Sequence, residues 1–348
     1  MRQFNCHCGM LALGLSRLLA AEPDVVASQL PRVPPTPPEQ ALGAFKIKSG
    51  FRLELVAAEP LVVDPIAMSF DEDGRLYVVE MRDYSERRPE RLGRIRRLED
   101  LDGDGHFEKS TVFADGLPWP TAVTCWAGGV FVGATPDILW MKDTNGDGVA
   151  DEREIIFTGF AADYAPFETN RLNVQALMNS FQWSLDNRIH GATSFSGGKV
   201  KLVDTPFVRA WLKRAGVSPS PGGEGRGEGG PTPSRSATSR SQLSTLNSPL
   251  DLRGRDFSFD PRTLEIRAES GGGQHGMSFD NRGGKFVCGN SDHIQQIVYE
   301  DRYAARNPYY TMPSPRVSIA ADGPAAVVFR ISPDEPWRVL RTQWRVAG

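Results

Sequence analysis

The chain has 348 residues, with 40 Lys plus Arg against 43 Asp plus Glu and a formal net charge of -3. That balance excludes the basic excess expected of a general nucleic-acid binder. No apolar run reaches the roughly 18 residues of an ordinary membrane-spanning helix. The 35 Gly and 26 Pro punctuate strands and interrupt helices, which points to a turn-rich, mostly β protein.

At the start, Arg2 precedes an apolar stretch from Met10 to Ala21. Residues 1–21 therefore read as a secretory signal, which implies a periplasmic or secreted protein. Cys6-His7-Cys8 lies inside it, too tightly spaced for a zinc knuckle and without the C-x-x-C-H pattern of haem attachment. Residues 22–44 carry Pro31, Pro34, Pro35, Pro37 and Pro38 and read as an extended lead-in. Cys125 and Cys288 sit in strand-like apolar runs and read as buried thiols.

From residue 45 to 348 one hairpin pattern recurs four times. The copies are Ile66–Val79, Thr121–Val132, Phe181–Gly191 and His275–Cys288, turning at Gly74, Gly128, Asn187 and Gly283. The spacings are 54, 59 and 96 residues, and the last contains an insertion. A repeat in the mid-fifties, with two hairpins per unit, predicts an all-β fold: a β-propeller of four-stranded blades, with about four blades present. A four-bladed ring is possible, but because the pattern stops near Trp337–Val346, a strand-like stretch with no partner after it, a truncated larger ring is expected. Its two open blade faces would be prone to self-association. Residues 205–250 hold the Gly/Pro/Ser-rich insertion, expected to be disordered. Its flanks, Lys199–Val203 and Asp256–Phe259, are expected to be neighbours in one blade, and Leu212–Ala215 and Asp301–Arg306 to form short helical turns.

Two acidic loops carry metal-binding chemistry. Asp143, Asn145, Asp147, Gly148, Val149, Asp151 and Glu154 fit the full D-x-[DN]-x-[DN]-G-x5-E pattern. Alternate residues of such a loop offer the hard oxygen ligands that Ca²⁺ needs. Asp100, Asp102, Asp104 and Glu108 repeat the loop 43 residues upstream. The twelfth position there is Thr111, so weaker binding is expected. Asp, Asn and Gly also favour such turns without any metal.

The run Gly50–Tyr84, with Leu252–Pro261, Gly271–Asp280 and Gly323–Pro333, resembles the membrane-bound dehydrogenase family whose members carry haem-binding C-x-x-C-H tails. The resemblance covers nearly everything from Phe45 onward except the insertion. It implies a six-bladed propeller similar to soluble quinoprotein glucose dehydrogenases, of which this chain would be a truncated ring, and hence pyrroloquinoline quinone with Ca²⁺. The chain lacks C-x-x-C-H, so haem is not expected in it.

Among candidate site residues, His275 stands level with Ile66, Thr121 and Phe181 at the start of an innermost strand. It could act as a general base on a sugar or alcohol hydroxyl. Gly271, Gly272 and Gly273 before it would allow a ligand close approach. Arg82 and Asp83, with Tyr84, and Asn290 and Asp292, with His293, follow the hairpins and are candidates for holding the cofactor. Asn170-Arg171-Leu172-Asn173 reads as a polar pocket loop, and His190, inside a strand, as a structural histidine. Three functions compete: a secreted quinoprotein dehydrogenase-like propeller, possible as an inactive fragment; a non-catalytic, calcium-stabilised propeller binding glycan or protein; and a calcium-dependent propeller hydrolase. No G-x-S-x-G, P-loop or dinucleotide fingerprint is present.

Overall fold

The computed structural model describes residues 30, 34–84, 87–164, 172–217, 249–307, 309–321, 323–325 and 335–347. The signal segment, Asn170-Arg171 and residues 218–248 of the insertion lie outside the described residues. The chain divides into two units. One, Ile47–Val327, holds the strands. In the other, the described residues form helical turns at Pro38–Ala41 and Leu42–Ala44 and the helix Pro336–Ala347. This helix replaces the strand expected at Trp337–Val346. Trp337, Leu340 and Trp344 follow a spacing of three and four, the period of a helix, and Pro336 at its first turn suits a helix start.

The first sheet is a meander of β1 (Pro65–Phe70), β2 (Leu76–Glu80), β3 (Gly93–Glu99) and β4 (Lys109–Leu117). The second repeats it with β5 (Pro120–Trp126), β6 (Gly129–Ala134), β7 (Asp137–Lys142) and β8 (Glu152–Phe160). The third begins with β9 (Asn179–Trp183) and β10 (Ile189–Ala192). The chain then leaves it for β11 (Gly198–Leu202), the helix Pro206–Arg214 and β12 (Leu250–Asp251). It returns as β13 (Asp256–Phe259) and β14 (Ile266–Glu269), giving the order β14-β13-β10-β9. The fourth sheet is β15 (Met277–Phe279), β16 (Lys285–Val287), β17 (Gln295–Ile297) and β18 (Arg316–Ser318). Every pairing is antiparallel, and β1, β5, β9 and β15 touch in that order. Four such sheets stacked in chain order are propeller blades. The four turn residues found by repeat all adopt left-handed backbone, with φ of 81° at Gly74, 74° at Gly128, 57° at Asn187 and 82° at Gly283. Ala127-Gly128 is a two-residue hairpin turn; the other three links are longer, with Gly or Asn in the left-handed position that closes them.

The insertion departs from expectation. Strand β11 pairs with β8 and β12, on the outside of the second sheet, whereas β13 pairs with β10 and β14 in the third. The two flanks therefore belong to different blades. Strand β8 would otherwise present an unpaired edge, and β11 covers it with Val200 and Leu202 turned inward. Part of the span 205–250 is also regular. Thr205 caps the helix Pro206–Arg214 by accepting from the Val208 N–H at 3.2 Å, and Pro206 occupies its first turn. Val208, Trp211 and Leu212 are buried.

Between the second and third sheets lies the largest apolar cluster, with Phe131, Trp140, Phe157, Phe160, Phe257 and Phe259. Trp211 of the insertion helix joins it, 5.4 Å from Trp126 and 5.2 Å from Trp140 between ring centroids. Between the first and second sheets, Tyr77, Val79, Ile95, Phe113, Val130 and Met141 form another. Between the third and fourth the apolar contact is small: Ala192, Met277 and Val287, flanked by Phe279 and Ile297. Polar groups hold that seam instead. Lys285 of β16 reaches Asp256 of β13 at 2.6 Å, with both side chains buried.

Cys125 is buried as expected, and burial pushes its thiol up to about 12. Cys125 is expected to stay unmodified when the native protein meets iodoacetamide at pH 8, and to react only after unfolding. Peptide mapping by mass spectrometry checks this, and rapid alkylation of native Cys125 would contradict it.

Candidate functional site

Strand direction sorts the loops. In each meander, the segment before the innermost strand and the link from second to third strand share one end of the blade. The links from first to second and from third to fourth share the other. The segments holding Asp83, Gln175, His275 and Asn290 fall at the first end. Both acidic loops, joining β3 to β4 and β7 to β8, fall at the second.

At the first end three segments converge. Asn173 caps a short helical turn, Val174–Ala176, by accepting from the Gln175 N–H at 2.9 Å. Gln175 Nε2 donates to the Tyr84 hydroxyl at 3.3 Å, joining the first blade to the approach of the third. The Gln175 backbone stands close enough to the His275 ring to favour its charged form. Buried Asn179 fixes the approach to the fourth blade: its Nδ2 donates to the Gln274 carbonyl at 3.1 Å, and its Oδ1 accepts from the Gly276 N–H at 3.2 Å. His275 itself remains exposed. Desolvation by the surrounding protein holds its imidazole below the usual range, outweighing the Gln175 backbone. Neutral at pH 7, the ring can accept a proton.

The four candidate cofactor residues divide. Arg82 and Asn290 are exposed at this end. Asp83 is wholly buried. Its carboxylate accepts from the Trp119 N–H at 3.2 Å, and its carbonyl from the Trp119 indole at 2.9 Å. Asp292 accepts from Gln295 at 3.0 Å and Ser318 at 3.1 Å, which ties down its own blade. Both aspartates thus work inside the fold. Gly271, Gly272 and Gly273 are buried as well. A Cβ on Gly271 would lie 1.8 Å from Asp256 Oδ2, and one on Gly273 2.7 Å from Val287. These glycines let the third and fourth blades approach each other, and not a ligand as expected.

At the second end the two acidic loops differ in how closely their carboxylates gather. Carboxylate oxygens of Asp100, Asp102, Asp104 and Glu108 all lie within 4.8 Å of one another. The Gly103 and Gly105 N–H groups donate to Asp100 at 2.7 and 2.9 Å. Backbone donors, that of Gly105 foremost, hold its carboxyl below the usual range. Among the described residues no second such group forms. In the loop with the complete pattern, Asp143 accepts from the Gly146 and Gly148 N–H groups and pairs with buried Arg97 at 3.2 Å. Asp151 accepts from the Thr144 N–H at 2.8 Å and its hydroxyl at 2.7 Å. Glu154 has moved into β8, opposite Trp140. Asn145 and Asp147 accept from backbone N–H groups two residues on, that of Asp147 being Val149.

Residues 37–216 and 234–347 match the domain of unknown function DUF7133, and the chain belongs to that family. No curated protein matches it. Among solved structures it is similar to the holo pyranose dehydrogenase PQQ domain of Coprinopsis cinerea. That match has 14 % identity and TM-score 0.38, covering 70 % of this chain and 47 % of that one. A protein from Lactobacillus plantarum matches at 13 % identity and TM-score 0.35, over 71 % and 54 %. The calcium structure of a Trichoderma reesei family AA12 enzyme matches at 15 % identity and TM-score 0.27, over 40 % and 35 %. The chain spans about half or less of the length of these solved chains.

Proposed function

We propose that the chain is the propeller part of a periplasmic or secreted, quinone-dependent sugar or alcohol dehydrogenase-like protein, with His275 accepting the proton of a substrate hydroxyl. The placing of His275 carries this reading. It is exposed, held neutral, and fixed by Asn179 and Gln175 at the end where three segments meet. A quinone bearing several carboxylates asks for a cation and an amide donor, which Arg82 and Asn290 provide. When bound, it supplies the two-electron acceptor. The chain's own part is to hold the hydroxyl and take its proton.

Calcium on this reading belongs to the Asp100 loop, at the opposite end, where it clamps the β3–β4 hairpin and does not touch the substrate. Millimolar Ca²⁺ is expected to raise the melting temperature, and the double variant Asp102→Ala, Asp104→Ala to abolish the rise. An equal rise in the variant would show that calcium acts elsewhere. The same separation of ends favours a second reading, a calcium-stabilised propeller that binds a glycan or protein without catalysis. It disfavours a hydrolase in which calcium activates water beside His275.

Reconstitution with pyrroloquinoline quinone and Ca²⁺, followed by dye reduction over a panel of sugars and alcohols, separates these readings. His275→Asn is expected to cut turnover by about 10²-fold or more. Because desolvation by the surrounding protein lowers the folded pKa of His275, kcat/KM should stay level as pH falls to about 6.5 and decline only below it. Undiminished turnover by His275→Asn would remove the base. Saturable ligand binding with no dye reduction across the panel would leave the non-catalytic reading.

A further inference from the structure

We infer that the cleft between the third and fourth blades is a binding site for a neutral, polyhydroxylated ligand, a saccharide, separate from the His275 end. The cleft encloses about 880 Å³, within the range of small-molecule sites. It opens at the second end, by the β9–β10 and β15–β16 turns. It exists because the apolar seam between these blades is small while Lys285 and Asp256 hold them together.

The lining is charged but already paired. Arg188 meets Glu265 at 3.4 Å, Arg267 meets Glu265 at 2.7 Å, and Glu269 accepts from Ser258 at 2.6 Å. An ionic ligand would have to break such pairs. A neutral polyol can donate to the carboxylates and accept from the guanidinium groups while leaving them intact. Aromatic surface is supplied by Tyr299, Tyr303 and Phe279, which suits a sugar ring with an apolar C–H face and a rim of hydroxyls.

His190 adds an independent observation. Its side chain is 8 % exposed and lines the cleft. Nε2 lies 3.0 and 3.2 Å from the two carboxylate oxygens of Asp186. Asp186 is held below the usual range: burial, the largest single influence, opposes this, but the bond to His190 and the nearby charge and backbone N–H of Arg188 together outweigh it. Nε2 is taken up by the carboxylate, so Nδ1 must find its partner elsewhere. Nδ1 is buried and has no hydrogen-bond partner, a rare state for such a group. A ligand hydroxyl admitted to it by movement of the cleft's side chains would supply the missing partner.

Titrating the full chain with glucose, cellobiose and maltotriose, by calorimetry and by the imidazole ¹⁵N signals, tests the inference. Saturable binding of at least one sugar is expected, with the His190 Nδ1 signal moving on saturation. His190→Phe and Tyr303→Ala should each weaken it about tenfold or more. Tyr303 is 47 % exposed, so that variant keeps the fold even if His190→Phe does not. His275→Asn should leave this binding unchanged, which separates it from the dehydrogenase reading. No saturable binding at millimolar sugar, or binding lost in His275→Asn but kept in Tyr303→Ala, would overturn it. So would tighter binding of inorganic phosphate than of any sugar at the same residues.

Discussion

Replacing Lys285 by Met is expected to lower the unfolding free energy by ~3–5 kcal/mol, the usual cost of stranding one partner of a buried ion pair. Asp256 is fully buried, and its carboxylate receives Lys285 Nζ at 2.6 Å, the Gly272 N–H at 3.1 Å and the Thr193 N–H at 3.3 Å. Without the ammonium, two backbone donors must carry a buried charge alone. The damage should concentrate at the seam between the third and fourth blades, where little apolar surface compensates. Urea unfolding measures the loss, and calorimetry should show a fall of roughly 2–4 °C per kcal/mol. A loss under about 1 kcal/mol would mean that the pair breaks even against its desolvation.

Trp211→Ala should cost a similar ~3–5 kcal/mol, the range for emptying a large aromatic site. Trp211 comes from the insertion, yet it packs on Trp126, Trp140, Phe131 and Phe207. Its indole also donates to the Pro261 and Arg262 carbonyls at 3.1 and 3.2 Å. By contrast, deletion of residues 218–248 should leave the melting temperature within a few degrees. Together the two results would divide the insertion into a part that builds the second and third blades and a part that does not. A near-neutral Trp211→Ala would show that the helix rests on the core without supporting it.

The hairpins were legible because their turns obey a local rule. Gly and Asn at positions 74, 128, 187 and 283 are the residue types that tolerate left-handed backbone, and all four adopt it. Pairing beyond the hairpin was not legible. Nothing in Lys199–Val203 says that it will leave its own blade for the edge of β8, since any alternating strand fits any open edge. In the acidic loops the strand boundary was not legible for a related reason. A spacing rule locates Glu154 but cannot tell whether it bends back into the loop or continues along β8. The last helix shows the limit of alternation as a signal, because Trp337–Val346 fits both a period of two and one of 3.6. His275 stands where its register within the repeat puts it, just before the innermost strand β15. Gln175 was missed, although Asn173 two residues earlier is a fair sign of a capped turn.

The six-stranded second sheet ends in β12, which is two residues long. Growth of a sheet by recruiting a foreign strand needs a run of vacant donors and acceptors, and two residues offer scarcely one rung. By handing its border to so short a strand, the second blade is a poor template for intermolecular β-pairing. A variant lacking β11 and β12 would bare the nine residues of β8, and fibril formation at concentrations the parent tolerates is the behaviour such an edge invites.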